Sequence, residues 1–436
     1  MAHPKEHRLL LAWRDIPEIG KLSVYEKQGG YSALKRIVRE MQPSEVTELT
    51  KQSGLRGRGG AGFPTGMKWS FVPNNLGKPK YLCVNCDESE PGTCKDRELV
   101  EHLPHQLLEG IAIACYAVGI HKAFIYIRGE MLEGYLSLKK AIEEAYAAGY
   151  FGSKVAGSDF DLEVVLHRGA GAYICGEESA LLSSLEGERG FPRLKPPFPA
   201  VSGLYACPTV INNVETLSSL PPIFRMGVSE YARLGTEKSK GTRLLSLSGH
   251  VNKPGNYEVE LGKYTFQQLI EDFGGGVRNG KKCKAIIPGG ASAPWLVPDQ
   301  HYGVTLDFEA VAAAGSMAGS GAVVVFDEDT CAVGVALNLV EFFHEESCGK
   351  CSPCREGTQW LAQILHRIVH GHGRPEDIDT LQEVVTNIDG KTFCPLGDSA
   401  CVPVKSSLKY FRDEYEFLIK EKRSKCGSGA QKVAVV

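Results

Sequence analysis

Four cysteines near the C-terminus have the spacing of a cluster or metal site. Cys348, Cys351 and Cys354 form two C-x-x-C steps in tandem, and Cys394 follows later in the chain. Three sulfurs in one compact turn and a fourth from a distant loop complete the ligand set of a cubane iron–sulfur cluster. Zinc sites more often use histidines or a second separate C-x-x-C, so the spacing favours a cluster over zinc or unmodified thiols. Cys401 has a similar neighbourhood, and spacing favours Cys394 as the fourth ligand only slightly.

A glycine-rich segment at residues 54–66 could bind a phosphate. Its glycines are Gly54, Gly57, Gly59, Gly60, Gly62 and Gly66. Such positions leave backbone N–H groups unobstructed, and Arg56, Arg58 and Lys68 add positive charge. The segment contains G-x-G-x-x-G, but that fingerprint should follow a strand, and here a predicted helix precedes it. We expect a phosphate or flavin cradle that is not a standard Rossmann turn; the alternative is a flexible loop.

Two further loops combine carboxylates with amides or glycines. Residues 85–93, Asn-Cys-Asp-Glu-Ser-Glu-Pro-Gly-Thr, directly follow a predicted strand and could hydrogen-bond a flavin edge or ribose hydroxyls. Residues 169–178 combine glycines and one tyrosine with two glutamates at a predicted helix start, as a ligand-binding loop would. The alternatives are a solvated acidic turn and carboxylates that only face a helix dipole. Asn212 and Asn213 precede another helix, as caps or as ligands.

The segments between these loops predict an α/β domain with a parallel sheet. Strands are predicted at 81–86, 122–128 and 160–167, and helices at 104–118 and 131–148. Strand–helix–strand repeats of this length favour parallel strands covered by helices. Because ligands of such sheets bind at the carboxyl ends of the strands, we expect the loops to converge on one pocket.

The remainder of the chain predicts a small α+β unit and a helical bundle. Residues 187–200 are proline-rich and predict an ordered loop without helix. Residues 243–326 predict strands around one helix at 266–273. Four helices, expected to form an antiparallel bundle, are predicted at 332–345, 358–369, 375–388 and 404–421. The predicted domains are residues 1–238, 239–328 and 329–436.

The composition excludes several classes of protein. The 436 residues are 43% hydrophobic and 23% charged, which is ordinary for folded domains. A net charge of −3 without a long basic run gives nucleic-acid binding no electrostatic support. No apolar run approaches the ~18 residues of a membrane span, and none at the N-terminus suits a secretion signal. We expect a cytoplasmic chain, in which clustered thiols among 14 cysteines indicate metal or redox ligands.

Together these stretches closely resemble the FMN-binding flavoprotein subunit of respiratory complex I. The matching segments are 57–66, 85–97, 169–182, 192–199, 208–216, 346–357 and 392–397, so the resemblance covers nearly the whole chain. It implies an FMN and NADH domain, a β-grasp-like domain and a cluster-bearing four-helix bundle. The chain departs from the family pattern at Cys86, Ser179 and Cys401, and none of these changes removes a ligand.

The resemblance also implies roles for individual residues. Around FMN it places Gly57, Gly59, Gly60, Lys68, Asn85, Asp87, Gly176, Asn212 and Asn213. Facing NADH it places Phe63, Phe71, Glu90, Tyr173, Glu178, Lys195 and Phe198, of which Glu90, Tyr173 and Glu178 are the expected catalytic residues. Further expected cofactor contacts are Arg58, Glu88, Glu177 and Thr216. The four-iron, four-sulfur cluster is assigned to Cys348, Cys351, Cys354 and Cys394.

The implied function is oxidation of NADH by a respiratory NADH:quinone oxidoreductase. FMN would accept hydride and release electrons singly to the cluster, which cannot accept hydride itself. We expect NADH to be preferred over NADPH because Glu90, Glu177 and Glu178 would repel a 2′-phosphate. Expected partners are a thioredoxin-like two-iron subunit and a large iron–sulfur subunit, at the cytoplasmic face of the inner membrane. The alternatives are a diaphorase subunit of an NAD-linked hydrogenase or formate dehydrogenase, and a zinc-stabilised scaffold without redox function.

Overall fold

The computed structural model describes residues 3–73 and 76–426 and divides into two compact units. The first unit comprises Met1–Ser89, Cys94–Leu245 and Asn256–Lys263. The second comprises Glu90–Thr93, Ser246–Gly255 and Tyr264–Val436. The short turn Glu90–Thr93 therefore belongs to a different unit from the strand that precedes it in sequence.

The first unit contains a four-stranded parallel sheet. Its strands are β1 (Tyr81–Cys86), β2 (Lys122–Ile127), β3 (Glu163–Arg168) and β4 (Thr209–Asn213). The spatial order is β3-β2-β1-β4, and each pair of neighbours is parallel. The predicted parallel sheet is confirmed, and β4 is a strand that the pattern did not reveal. Four of the six residues of β1 are buried, as expected for a strand covered on both faces.

The helices of this unit precede, separate and follow its strands along the chain, and one of them lies in the core. They are α1 (Leu22–Lys27), α2 (Ser32–Glu40), α3 (Pro43–Gln52), α4 (Thr65–Ser70), α5 (Lys95–His102), α6 (Pro104–Val118), α7 (Leu132–Ala147), α8 (Glu178–Leu185), α9 (Val214–Ser218), α10 (Leu220–Met226) and α11 (Val228–Tyr231). Helix α6 is buried along almost its whole length, as its near-continuous apolar sequence predicts. Pro104 begins it, and Gly119 ends it with a φ of 71°.

A second sheet is mixed. Its strands are β5 (Thr242–Gly249), β6 (Gly255–Glu260), β7 (Cys283–Ile287) and β8 (Ala322–Asp327), in the order β6-β5-β8-β7. Strand β8 is parallel to β5 and antiparallel to β7. The helix predicted at 266–273 is α12 (Phe266–Gln268) followed by one π-helical turn, and Thr265 caps it. Two short helices, α13 (Pro298–His301) and α14 (Phe308–Ala313), lie between β7 and β8.

Four long helices form the C-terminal region, as predicted. They are α15 (Ala332–Glu345), α16 (Ser352–Val369), α17 (Asp377–Ile388) and α18 (Pro395–Glu421). Helices α16 and α18 begin earlier than the apolar periodicity indicated, because each starts with a proline-containing polar turn next to a cysteine. Cys401 consequently lies inside α18 and is fully buried, whereas Cys394 precedes its first turn.

In the described part of the chain, none of the helices is long and apolar enough to cross a membrane.

Candidate functional site

Two of the predicted loops meet at the carboxyl end of β1. The Asn85 side-chain amide donates to the Gly176 carbonyl over 2.8 Å, and its oxygen accepts from the Asp87 N–H over 3.1 Å. A Cβ atom on Gly176 would stand 3.4 Å from two oxygens of Asp87, so a glycine allows this close packing. Asn85 also pairs in register with Asn213 of the neighbouring strand β4. The loops at 85–89 and 169–178 therefore converge with the end of β4.

The glycine-rich segment also contacts the end of β4, at Asn213, and the helix that follows it. A Cβ atom on Gly59 would lie 3.0 Å from the Cβ of Asn213, which leaves little room for any side chain. The backbone N–H of Arg58 donates to the Thr216 hydroxyl over 2.9 Å. The Gly57 N–H closes the loop on the Phe63 carbonyl over 2.8 Å. The three predicted loops thus converge within the first unit, as the sequence predicted.

The guanidinium of Arg58 anchors this segment in the core. It is fully buried and donates to the carbonyls of Lys240 and Thr242, each over 3.0 Å. Its charge is therefore used inside the protein, contrary to the expectation that it would serve a phosphate. Any contact of Arg58 with a cofactor would have to come from its backbone.

The two adjacent asparagines have different roles. The indole N–H of Trp69 donates to the Asn212 side-chain oxygen over 2.9 Å, which fixes that amide. Asn213 caps helix α9 by accepting from the Glu215 N–H over 3.0 Å, and its amide donates to Asp96 over 2.5 Å. The capping role predicted for these asparagines is therefore confirmed for Asn213, whereas Asn212 is held by Trp69. A ligand role for either residue stays a prediction.

Sequence reasoning missed a buried ion cluster behind Asn213. The Lys95 ammonium, 1% exposed, contacts Asp96 over 2.8 Å and Glu215 over 2.9 Å. Burial lowers the pKa of Lys95, but the two carboxylates outweigh burial and raise it overall. In the sequence these charges look like a solvated helix face. The available signal in the sequence was that Lys95 and Asp96 directly follow the acidic loop at 85–93.

Glu88 also acts within the protein. Its two carboxylate oxygens accept from the backbone N–H groups of Asp96 and Arg97 over 2.8 and 2.9 Å, at the start of α5. Burial and the nearby charge of Asp96 raise the pKa of Glu88 to about 7. The structure therefore uses its carboxylate to cap a helix, and a cofactor contact of Glu88 remains a prediction.

A cluster of paired charges borders the loop at 169–178. The Lys195 ammonium contacts Glu178 over 2.6 Å and Glu177 over 3.1 Å, and Lys68 contacts Glu178 over 3.3 Å. Burial alone would raise the pKa of Glu178, but the two ammonium groups outweigh it and lower that pKa. Glu177 additionally caps α8 through the N–H groups of Ser179 and Ala180. The charges are therefore compensated within the cluster.

Exposed aromatic rings are the remaining feature of this unit. Phe63, Phe71 and Phe198 are 45%, 55% and 58% exposed, and the first two rings lie 6.0 Å apart. Tyr173 begins a 3-10 turn that ends at Gly176. Exposed rings of this kind can stack on a planar ligand. Glu90 belongs to the second unit, where its carboxylate is bound by Ser292.

The predicted cluster cysteines are neighbours in the second unit. Burial and the nearby thiols of Cys348, Cys354 and Cys351 raise the pKa of Cys394 to about 11. The Phe393 N–H lies 3.5 Å from the Cys351 sulfur. Cys351 and Cys394 are the N-cap residues of α16 and α18, where helix dipoles favour negative charge. Within residues 3–73 and 76–426, no group of three or more His, Cys, Asp or Glu could hold a metal ion.

Two cationic side chains lie beside these cysteines. The Lys350 ammonium stands 3.8 Å from the ring centroid of Phe393, and Arg355 donates to the Gly349 carbonyl over 2.8 Å. Cys401 lies inside α18 and is fully buried, and its thiol donates to the Val385 carbonyl over 3.9 Å. These positions favour Cys394 over Cys401 as the fourth ligand.

Three models of known protein families match the chain. The family model described as Nuo51 FMN-binding domain matches residues 50–222, and an SLBB domain model matches residues 243–325. The model of the NADH-ubiquinone oxidoreductase-F iron-sulfur binding region matches residues 334–418. These three models correspond to the parallel-sheet region, the mixed sheet and the helical region.

Curated relatives match along most of the chain. The NADH-quinone oxidoreductase F subunit 2 of Rhizobium meliloti (strain 1021) is 52% identical, over 95% of this chain and 98% of its own length. The F subunit of the same enzyme from Streptomyces coelicolor (strain ATCC BAA-471 / A3(2) / M145) is 55% identical, over 94% and 90%. The solved structure of an NAD+-reducing NiFe hydrogenase in its H2-reduced state is similar with a TM-score of 0.83. It is 33% identical, over 95% of this chain and 67% of that one.

Proposed function

We propose that the three converging loops of the chain hold FMN and receive NADH. The premise is that the chain belongs to the family of NADH-quinone oxidoreductase F subunits. The chain is an NADH-oxidising subunit that binds FMN and a four-iron, four-sulfur cluster. FMN supplies a group that takes two electrons from NADH as hydride and delivers them one at a time. The observation that carries the proposal is the convergence of the glycine-rich segment with Asn85 and Asn213.

The residues around this convergence fit a flavin phosphate and ring. Gly59 and Gly60 would present backbone N–H groups without side-chain obstruction, and a Cβ atom on Gly59 would meet Asn213. Gly57, whose N–H is bonded to the Phe63 carbonyl, would shape the segment around the phosphate. Asn85, Asp87, Gly176 and Asn212 would contact the ring system. Lys68 would add positive charge near the phosphate. Thr216 would act by holding the glycine-rich segment in place through the Arg58 N–H.

The NADH contacts follow from the exposed aromatic rings and the charge cluster. Phe63, Phe71 and Phe198 would stack on the planar rings of the dinucleotide. Lys195 would orient Glu178, and Glu177 would fix the start of α8 beneath it. Tyr173 and Glu90 are the remaining residues proposed to contact NADH.

The cluster ligands are proposed to be Cys348, Cys351, Cys354 and Cys394. The support is that the other three thiols lie close enough to influence the pKa of Cys394, and that Cys351 and Cys394 are at helix N-termini, which favour a negatively charged cluster. The four sulfurs do not form a metal-binding group in the structure, so they would have to move together to bind the cluster. Lys350 and Arg355 would offset part of that charge.

We further propose the three-domain division at 1–238, 239–328 and 329–436, with a β-grasp-like middle domain. The three family models, which fall at 50–222, 243–325 and 334–418, support it. As a member of this family, the chain assembles with other subunits of its complex. The proposed partners are a thioredoxin-like two-iron subunit and a large iron–sulfur subunit. The proposed location is the cytoplasmic face of the inner membrane.

The diaphorase alternative retains one supporting observation, the similarity to the NAD+-reducing hydrogenase. That similarity is 33% identity, against 52% and 55% for the two NADH-quinone oxidoreductase relatives. The respiratory assignment therefore stands first. Identification of the subunits that co-purify with the chain separates the two, since a hydrogenase or formate dehydrogenase component would favour the diaphorase.

The flavin cradle is tested by adding one methyl group. Gly59→Ala would place a Cβ atom 3.0 Å from the Asn213 Cβ, so we expect its complex to retain at least ~10-fold less FMN. Gly303→Ala is the matched control, because a Cβ atom there meets nothing within 4 Å. FMN, iron and NADH–ferricyanide activity are measured on the complex purified with its partner subunits. Full FMN occupancy and affinity in Gly59→Ala would contradict the proposed cradle.

A further inference from the structure

We propose that Ser292 is a positioning residue that holds the carboxylate of Glu90 in place for NADH oxidation. The inference rests on the proposed function, in which Glu90 is one of the residues that contact NADH. It gives the loop at 289–292 a role in catalysis in addition to its place in the fold. Glu90 and Ser292 both lie in the second unit.

Glu90 begins a tight turn of defined geometry. The turn comprises Glu90, Pro91, Gly92 and Thr93, and the Thr93 N–H donates to the Glu90 carbonyl over 3.0 Å. Proline at the second position and a glycine with a φ of 89° at the third are typical of a type II turn. The backbone of Glu90 is therefore fixed locally, and only its side chain needs a further constraint.

The turn is attached to the mixed sheet at its other end. A Cβ atom on Gly92 would stand 2.7 Å from a methyl group of Val324 in β8, so the turn packs directly on that strand. The hydroxyl groups of Thr93 and Ser320 are 2.5 Å apart, and Ser320 also donates to the Gly289 carbonyl over 3.1 Å. These contacts bring the turn and the loop at 289–292 together.

Ser292 binds the Glu90 carboxylate twice. Its backbone N–H and its hydroxyl both donate to the Oε1 atom of Glu90, over 2.8 and 2.6 Å. Gly290, with a φ of 94°, lies under the side chain, and a Cβ atom there would be 2.5 Å from the Glu90 Cγ. The side chain is thus bound at its oxygen and packed along its stem, which selects one rotamer.

A carboxylate that faces a hydride donor must be placed accurately. Displacement of a reacting or orienting group by about 1 Å costs on the order of 100-fold in rate. Two donors on one oxygen hold the carboxylate in a single orientation. Ser292 therefore sets the position of Glu90.

The test compares Ser292→Ala with matched variants in the complex purified with its partner subunits. Ser292→Ala removes the hydroxyl donor and keeps the backbone donor, so we expect kcat/KM for NADH to fall ~10-fold, mainly through kcat. Ser292→Thr retains a hydroxyl and should stay within ~2-fold of the native value. Ser316→Ala is the control, because it removes a hydrogen bond of the same unit, to the Pro294 carbonyl, without touching Glu90. FMN and iron contents should be unchanged in all three.

A double-mutant cycle separates positioning from general damage. In a Glu90→Gln background, Ser292→Ala should lower kcat/KM by less than ~2-fold, because the group through which it acts has been altered. Independent, multiplying effects of the two substitutions would overturn the proposal, as would native kinetics of Ser292→Ala. If Ser292→Ala does not fold, Thr93→Val removes the contact with Ser320 at the other end of the turn. That variant should show the same loss, and native kinetics would count against the inference.

The same experiment distinguishes failure of the inference from failure of the proposed function. Native kinetics of Glu90→Gln would remove Glu90 from NADH binding and overturn the positioning role with it. Absence of FMN, or of NADH oxidation, in the native complex would instead contradict the proposed function. A kinetic loss in Glu90→Gln without any loss in Ser292→Ala would refute only the role of Ser292.

Discussion

Substitution of Glu178 by glutamine should convert a neutral charge cluster into a cationic one. In the native chain, Glu178 lies between Lys68 and Lys195, and Glu177 also contacts Lys195. Two carboxylates therefore offset two ammonium groups. The expectation that carboxylates simply repel a 2′-phosphate needs correction, because the cluster as a whole carries no net charge. Glu178→Gln leaves one ammonium charge uncompensated, which should attract the 2′-phosphate of NADPH.

The size of the effect follows from Coulomb's law. One uncompensated charge about 5 Å from a phosphate contributes roughly 0.8–3 kcal/mol for an effective dielectric constant between about 80 and 20. Because Lys68, Glu178 and Lys195 are each 26–31% exposed, the lower half of that range applies, about 1–2 kcal/mol. We therefore expect the ratio of kcat/KM for NADPH to that for NADH to rise ~5- to 30-fold.

The assay is ferricyanide reduction by the purified complex, with NADH and NADPH measured at low and high ionic strength. The rise in the ratio should shrink with salt, since screening weakens a partly exposed charge. The lysines lower the pKa of Glu178, so its carboxylate should stay ionised between about pH 6 and 8, and any change of the native ratio in that range should follow the second ionisation of the 2′-phosphate, at pH ~6. Glu188→Gln is the control, because it removes an exposed carboxylate elsewhere. An unchanged ratio in Glu178→Gln, or an equal rise in Glu188→Gln, would refute the electrostatic reasoning.

Three further outcomes are expected. Cys394→Ser should abolish the visible absorption and EPR signal of the cluster, whereas Cys401→Ser should retain both; equal loss in the two variants would contradict the ligand set. Trp69→Phe removes the N–H donor to Asn212 and should weaken FMN binding ~5-fold, measured by fluorescence titration; unchanged affinity would exclude this support. Burial raises the pKa of Glu258 to about 7, above its value in the unfolded chain. Protonated Glu258 therefore contributes to the free energy of unfolding in full below about pH 4, and this contribution is lost as the pH rises through 7. The free energy of unfolding by denaturant should consequently vary less with pH in Glu258→Gln than in the native chain. An equal pH dependence would count against this assignment.

Features carried by local pattern could be predicted from the sequence. Buried apolar runs located β1 and β2, and proline and glycine signals bounded α6. The glycine-rich segment was predicted as a cradle, with a flexible loop as the alternative, because dense glycines beside Arg56 and Lys68 suit a phosphate. The convergence of the loops at 85–89 and 169–178 could be anticipated, since loops after parallel strands meet at one edge of the sheet.

Features that depend on long-range packing could not be predicted. Lys95, Asp96 and Glu215 look like ordinary surface charges in sequence, and only the fold buries them together. The guanidinium of Arg58 was expected at a phosphate, but the carbonyls of Lys240 and Thr242, far away in the chain, bind it instead. No local signal indicated the position of Arg58, and the only signal for the buried charges was that Lys95 and Asp96 directly follow the acidic loop.

The turn at Glu90 and the start of α18 illustrate the same limit. Residues 90–93 follow β1 in sequence but pack with the second unit, through Ser292 and Val324. Helix α18 begins at Pro395 with a turn that lacks apolar periodicity, so the pattern could not show that Cys401 lies inside a helix.

Anaerobic stopped-flow mixing of the purified complex with NADH tests the central claim most directly. We expect rapid bleaching of flavin absorption, followed by an EPR signal of a reduced four-iron cluster. In a Cys351→Ser variant the bleaching should persist while that signal is lost. A native complex whose visible spectrum does not respond to NADH, or whose cluster signal survives Cys351→Ser, would contradict it.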